Sequence, residues 1–392
     1  MKGFFNILDT TPNASAKYTM TQNARLDIMG ELEAIIGYET HLMQATLPSA
    51  QNTIKDIAKE SGYSVSTVSR VLNNRRDVSP EAKKRITEIV AARHFVPNNN
   101  AKHLKQNSSK TIAVLVKGTS NMLFASIVEA IQKKVEATRY TVSINYIDED
   151  DNEVEEALTV CREHKPLGML FLGGNPKFFE KAFEAVKIPC VLVTNQGALL
   201  GFDNLSSVAT DDEAAAESAI DYLIRQGHEK IGILGGDFAL SHTSKQRYLG
   251  CVKSFQKHQI SFDEEQYYEK ARFSYESAYE AMKRLLKKAE GITAVFAMSD
   301  VIAIGAIRAI IDGGRRVPED ISVMGFDGIT MAEYYNPKLT TIQQQYSILA
   351  ARSVEILLQN IDWNIAPVHE VIPFHLVQGE SVKKINASLA EN

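Results

Sequence analysis

Cysteine is scarce in this sequence, three in 392 residues, and tryptophan nearly absent, at one. Cys161, Cys190 and Cys251 stand far apart, each in an apolar or amphipathic stretch and never in a C-x-x-C pair. That excludes a disulfide framework and a cysteine-rich metal site, and predicts three reduced core thiols. No run of 18 apolar residues occurs, and the opening MKGFFNILDTTPNAS lacks the continuous apolar stretch of a secretory signal. The expectation is a cytoplasmic protein with no membrane partner. Paired catalytic carboxylates on a recognisable motif, a nucleophile elbow and a metal cluster are also missing. Gly235-Gly236-Asp237 invites a phosphate-loop reading, but neither G-x-G-x-x-G nor G-x-x-x-x-G-K-[ST] is present, so it reads as a strand-end turn. No enzyme, cofactor or metal is expected.

What is there is ordinary globular composition, 44% apolar and 23% charged, in a chain long enough for two or three domains. The charge is uneven. Residues 51–110 carry 12 Lys/Arg against 5 Asp/Glu, a net +7, which leaves −12 on the remainder of a chain of net −5. A basic module on an acidic body is the pattern of a protein of which one part meets a phosphate backbone. Residues 1–51, with a polar start and a helix-type pattern around Leu26 to Ile36, read as an extension of unknown role.

From residue 52 to 98 the spacing predicts three short helices. Ile54, Ile57 and Ala58 form one buried stripe, and Gly62 ends that helix. Ser64 can cap a second helix, in which Val68, Val71 and Leu72 make the matching stripe. Ser79-Pro80-Glu81 announces a third, with an N-cap, a proline at its first position and an acid in its first turn. A tight glycine turn between the first two helices gives the helix-turn-helix pattern. The opposite face of the second helix presents Val65, Ser66, Ser69 and Arg70. Arginine there can donate two hydrogen bonds to guanine, while serine hydroxyls and a valine methyl can meet phosphate or thymine. Residues 99–110 read as a linker with a one- to two-turn helix, too short to be stable alone.

Beyond Lys110 apolar runs alternate with amphipathic segments. IAVLV, TVSINYI, GMLFL, PCVLV, KIGILGG, TAVFAM and ISVMGF look like buried parallel strands, which predicts a doubly wound α/β architecture. About 280 residues with this many strands suits two similar lobes with a cleft between them over 111–380, followed by a tail at 381–392. In such sheets ligands bind beyond the carboxyl ends of strands, where Asp300 and Asp327 stand. A carboxylate there can accept from adjacent sugar hydroxyls, an arginine such as Arg247 can donate to them, and aromatic rings can cover apolar sugar faces. Asp300 is equally readable as a helix N-cap. His228, in a Gly-His turn before a strand, reads as structural.

The run TIKDIAKESGYSVSTVSRVLNNRRDVSPEAKKRITEIVAARHFVPNNNAKHL resembles the headpiece of the lactose and galactose repressor family motif for motif. The resemblance continues through GHEKIGILGG, RYLG, TAVFAMSD, AIGA, VPEDISVMGFD and PKLTTI, covering about residues 52–380. It implies that Val65 and Ser66 choose the operator and that Arg70 contacts a guanine. Thr53, Ser64, Thr67 and Asn73 match phosphate or turn-stabilising positions. Leu104 matches a hinge leucine that wedges into the minor groove, in a hinge that here reads Ala101-Lys102-His103-Leu104, with lysine where the family commonly has arginine. For the effector it implies Asp327 and Arg247 as anchors, Phe273 as a stacking ring, Asn121, Leu123 and Phe124 as the first-lobe loop, and Gln344 as a polar crossover residue. Ser299 stands where some sugar sensors have asparagine, and Gly328 where the family often has a second aspartate.

The resulting expectation is a repressor of carbohydrate-utilisation genes. Its partners would be double-stranded operator DNA, a small-molecule effector of the sugar or sugar-phosphate type, and a second copy of the chain in a homodimer. The stretch GESVKKINASLAEN after Gln378 is too short for the leucine heptads of a helical tetramer. A transport-type binding protein and a sugar-processing enzyme are the competing classes. The headpiece argues against the first and the absence of catalytic motifs against the second.

Overall fold

The computed structural model describes residues 53–72, 75, 78–93, 95 and 110–385, in two units divided between residues 105 and 106. In the first unit α1 (Ile54–Ser61) begins where the Asp56 carboxylate accepts from the Thr53 backbone N–H at 2.9 Å and from its hydroxyl at 2.7 Å. It ends at Gly62, whose φ of 76° is a left-handed conformation that favours glycine. Ser64 Oγ then accepts from Thr67 N at 3.2 Å and starts α2 (Val65–Leu72). Ser79 Oγ accepts from Ala82 N and starts α3 (Pro80–Ala92). The facing stripes bury Ile57, Ala58, Val68, Val71, Ala82 and Ile86 as one small core.

In the second unit the first lobe runs β1 (Thr111–Lys117), α4 (Met122–Glu136), β2 (Thr141–Ile147), α5 (Glu153–Glu163), β3 (Gly168–Leu172), α6 (Pro176–Ala182), β4 (Cys190–Val193) and β5 (Leu205–Thr210). The chain then crosses to the second lobe: α7 (Asp212–Arg225), β6 (Ile231–Gly235), α8 (His242–Lys257), α9 (Glu264–Tyr267), β7 (Tyr268–Lys270), α10 (Tyr275–Lys288), β8 (Ala294–Ala297), α11 (Asp300–Asp312), β9 (Ser322–Asp327), α12 (Thr330–Tyr334) and β10 (Thr340–Gln344). It returns in α13 (Tyr346–Trp363) and β11 (His369–Ile372) to the first lobe, and crosses once more into β12 (Phe374–Val377).

The sheets are ordered β11-β5-β4-β3-β1-β2 and β12-β10-β9-β8-β6-β7. Every described pairing is parallel except β10 with β12. The connections attach to the first-lobe sheet at β5 and β11, and two of them attach to the second-lobe sheet at β10 and β12. The third enters that lobe through α7, which packs against β8, β10 and β12 before the chain reaches β6, while β2 and β7 lie at the far end of their sheets. The seven apolar runs read from the sequence are seven of these strands. The strands not anticipated are β5, β7, β10, β11 and β12.

Packing continues past the expected end of the domain. Ser381 is buried, donating to Val323 O at 2.6 Å and accepting from Thr340 N at 2.8 Å, and Ile385 N bonds to Gln226 O. Cys190 and Cys251 are buried free thiols and Cys161 is half-buried. His228 is buried between Thr293 Oγ1 at 3.0 Å and Lys383 O at 3.1 Å, which makes it a brace under the terminal segment.

Two helical glycines mark where helices touch backbone to backbone. A Cβ on Gly250 in α8 would lie 2.1 Å from Glu213 O of α7, and one on Gly305 in α11 would lie 2.5 Å from Tyr275 O of α10. Gly250→Ala must push α7 and α8 apart, since the obstacle is backbone and not a movable side chain. It is expected to destabilise the two-lobed unit by about 1–3 kcal/mol, read as a lowered melting temperature.

Candidate functional site

In the first unit the exposed side of α2 carries Val65, Ser66 and Arg70, with Thr67 and Ser69 half-exposed. Val65 is 42% exposed, a β-branched apolar residue that the helix leaves in solvent although Val68 and Val71 of the same helix are buried. The Ser64 hydroxyl lies 2.7 Å from that of Ser66 and 2.9 Å from that of Thr67. The cap and the first turn thus form one hydroxyl cluster. Thr53 serves the turn, its hydroxyl and N–H both engaged by Asp56. Lys83, Lys84, Arg85 and Arg93 are exposed on or just after α3. Asn73, Ala101 and Leu104 lie outside the described residues, as do residues 1–52 and the hinge up to 109.

In the second unit the carboxyl ends of both sheets face a cleft of about 680 Å³. Asn121, Leu123, Phe124, Arg247, Phe273, Asp327 and Gln344 all line it. Asn121 also caps α4, its side-chain oxygen accepting from Leu123 N at 3.0 Å.

At the base, Arg247 is 4% exposed. Its Nε donates to Asp212 Oδ1 at 2.8 Å, Nη1 donates to Met298 O, and Nη2 lies 3.8 Å from Asp327 Oδ1. The guanidinium carbon stands 3.6 Å from the centre of the Phe326 ring. Gln344 Nε2 donates to Asp327 Oδ1 at 2.9 Å, and Asp327 Oδ2 has no hydrogen-bond partner among the described residues. Asp327 has φ 116° and Gly328 φ 71°. An aspartate in that conformation is strained, and such strain concentrates at ligand sites. A Cβ on Gly328 would sit 2.7 Å from the Gln343 backbone, so glycine is required where the family often has a second aspartate. Burial pushes the Asp327 carboxyl up to about 7, against the pull of Arg247 and Gln344.

Ser299 and Asp300 are corrections, for neither lines the cleft. Ser299 Oγ accepts from Ile302 N at 3.1 Å as the cap of α11. Asp300 is fully buried behind β9, accepting from Ile329 N at 2.8 Å and from the Thr341 hydroxyl at 2.6 Å. Its carboxylate lies so close over Gly325 that any side chain there would strike it. The cap of α11 is therefore Ser299 and not Asp300, whose carboxylate is taken up by Ile329 N and the Thr341 hydroxyl.

The cleft also has residues the sequence reading passed over: Lys117, Glu149, Asn175, Asn195, His242 and Arg272. Lys117, Glu149, Asn175 and Asn195 terminate or follow strands read from the sequence, so the rule that singled out Asp327 would have found them, whereas Arg272 follows the unanticipated β7 and His242 follows no strand end directly. His242 opens α8, and burial pushes its imidazole down towards the neutral form. Every cation of the cleft is paired. Lys117 bonds to Glu153 at 2.8 Å, Lys270 to Asp237 at 2.7 Å, Arg272 to Asp148 and Glu149 at 2.6 and 2.5 Å, and Arg247 to Asp212. Among the described residues no group of three or more His, Cys, Asp or Glu could hold a metal ion, and no helix is long and apolar enough to cross a membrane.

A family model described as bacterial regulatory proteins, lacI family, matches residues 53–98, and one described as a periplasmic binding protein-like domain matches 220–382. The HTH-type transcriptional regulator MalR of Clostridium butyricum is 38% identical over 331 residues, 84% of this chain and 98% of its own. The chain belongs to the lacI family of bacterial regulatory proteins. The HTH-type transcriptional repressor PurR of Mannheimia succiniciproducens is 31% identical, over 85% of this chain and 99% of its own. The structure of the lac repressor dimer bound to operator and the anti-inducer ONPF matches with 25% identity and a TM-score of 0.67, over 85% of this chain and all of that one. This member is accordingly a DNA-binding transcription regulator with an effector-binding two-lobed domain, and not an enzyme.

In the unfolded chain Asp327 ionises near pH 4, and in the fold only near 7. The folded state binds the extra proton between those values, so this group's contribution to stability is full at low pH and lost as the pH rises through about 7. Asp327→Asn should therefore gain stability relative to the parent when the pH is raised from 5 to 8, by roughly 2–3 kcal/mol, since about two pKa units fall inside that interval and each is worth about 1.4. Denaturation midpoints of both proteins at the two pH values check this.

Proposed function

We propose that the regulator is a homodimeric repressor whose α2 helices enter the major groove at two operator half-sites, and whose effector is an uncharged, polyhydroxylated molecule of the carbohydrate class. The observation that carries the effector class is the pairing of every cleft cation, while Asp327 keeps one carboxylate oxygen uncommitted. A phosphate would have to break one of those ion pairs to gain a cation, and it would meet Asp148, Glu149, Asp150, Asp237, Glu276 and Asp327 around it. Neutral hydroxyls meet the opposite situation: a carboxylate oxygen and side-chain amides to bond with, and Phe124 and Phe273 to cover the apolar ring face. The sugar-phosphate alternative is therefore the weaker of the two readings.

Asp327, Arg247, Gln344, Asn121, Leu123, Phe124 and Phe273 are assigned to the effector, and Val65, Ser66, Ser69 and Arg70 to the bases and backbone of the operator. A screen of neutral saccharides, sugar phosphates and nucleobases by thermal shift tests the effector class, because a ligand at 100 times its dissociation constant adds about 2.7 kcal/mol. A shift by neutral saccharides is expected. A shift confined to phosphates or nucleobases overturns the assignment.

On the operator side, Arg70→Ala should cost about 1–3 kcal/mol of discrimination against the wrong base pair while binding to scrambled duplex changes little. Gel shifts with specific and scrambled duplexes, at one stated salt concentration, read the difference.

A further inference from the structure

Arg272 follows β7, at the far end of the second-lobe sheet, and Asp148, Glu149 and Asp150 follow β2, at the far end of the first-lobe sheet. The guanidinium reaches across the cleft to all three acids: Nη2 to Asp148 at 2.6 Å, Nε to Glu149 at 2.5 Å and Nη2 to Asp150 at 3.5 Å. The interlobe connections attach away from that end, at β5 and β11 in the first lobe and at β10, β12 and α7 in the second. Two neutral bonds cross in between, Asn175 Nδ2 to Leu240 O at 2.9 Å and Thr243 Oγ1 to Asn195 Oδ1 at 3.0 Å. The ionic contact thus has the longest lever arm about the connections, and among the described residues it is the one ion pair that joins the lobes at the mouth.

We propose that Arg272 and the acids at 148–150 form an electrostatic latch that holds the two lobes together before any effector arrives. Arg272 acts through lobe position and not by touching the effector. The latch fixes the fraction of molecules in the bridged arrangement, and the apparent effector affinity scales with the fraction that is competent to bind. Because Arg272 is 51% exposed, the contact is open to screening by salt.

The test needs no effector. In the full chain, hydrogen exchange is followed at residues 118–121 and 236–241, which line the cleft from the first and the second lobe, and at 207–212, at the end of β5 where the first connection leaves. At 0.05 M NaCl, Arg272→Gln is expected to raise exchange several-fold in the two cleft segments and to leave 207–212 unchanged. Raising NaCl to 1 M should raise exchange in the parent but not in the variant. The charge swap Arg272→Glu with Glu149→Arg should restore the parental rates at low salt, which a role confined to local folding would not produce. Parental rates in Arg272→Gln at both salt concentrations, or a swap that exchanges as fast as the single variant, would overturn the latch.

Discussion

A cation as deep as Arg247 is tolerable only because four groups from three elements supply what water would have supplied. The Asp212 carboxylate comes from the start of α7, the Met298 carbonyl from the end of β8, Asp327 from the end of β9, and the Phe326 ring from β9 as well. Breaking a buried pair by removing one partner costs about 3–5 kcal/mol, because the other charge is left without compensation. The same arrangement fixes the chemistry of the cleft. With Arg247 committed to Asp212, Asp327 is only partly neutralised, and its desolvated carboxyl titrates where a ligand's hydroxyls can stabilise the charged form.

The architecture was legible in the sequence where burial made strands wholly apolar. GMLFL, CVLV and AVFA are buried along their whole length and read as such. β5 and β10 were not legible because polar residues interrupt their buried runs. In β5, Ser206 Oγ accepts from Val368 N and Asn360 Nδ2. In β10, Thr340, Thr341 and Gln344 are buried on bonds to Ser381, Asp300 and Asp327. Hydrogen bonds from distant segments make those residues acceptable inside, and no local pattern announces them. The error at Asp300 has the same origin. Two aspartates follow two neighbouring strands, and only the position of Gly325 and Thr341 beneath Asp300 decides that it turns inward while Asp327 meets the cleft.

The headpiece was legible almost to the residue because its signals are local. Capping hydroxyls, a left-handed glycine and helical spacing act within a few positions of the chain. Among the described residues its core has six buried apolar side chains, which is small, as expected for fewer than 50 residues. A module of that size gains from every cap, which accounts for the carboxylate of Asp56 and the hydroxyls of Ser64 and Ser79 each being spent on a helix start. The outer side of α2 presents Val65, Ser66, Ser69 and Arg70 beside that Ser64 cap.

Signalling between effector and operator requires that the two-lobed unit be easy to shift but not slack. Connections at β5, β11, β10, β12 and α7 leave the lobes a hinge, and neutral bonds in the middle of the cleft add little resistance to opening. Exposed ion pairs are worth about 0–1 kcal/mol each, so a contact of the Arg272 kind biases the lobes by an amount comparable with thermal energy. A buried pair such as Arg247 with Asp212 could not serve there, because breaking it would exceed what a small molecule contributes by differential binding. The division of labour follows from burial alone: the ionic contact deep in the second lobe keeps its own fold, and the one at the rim remains within reach of a ligand's binding energy.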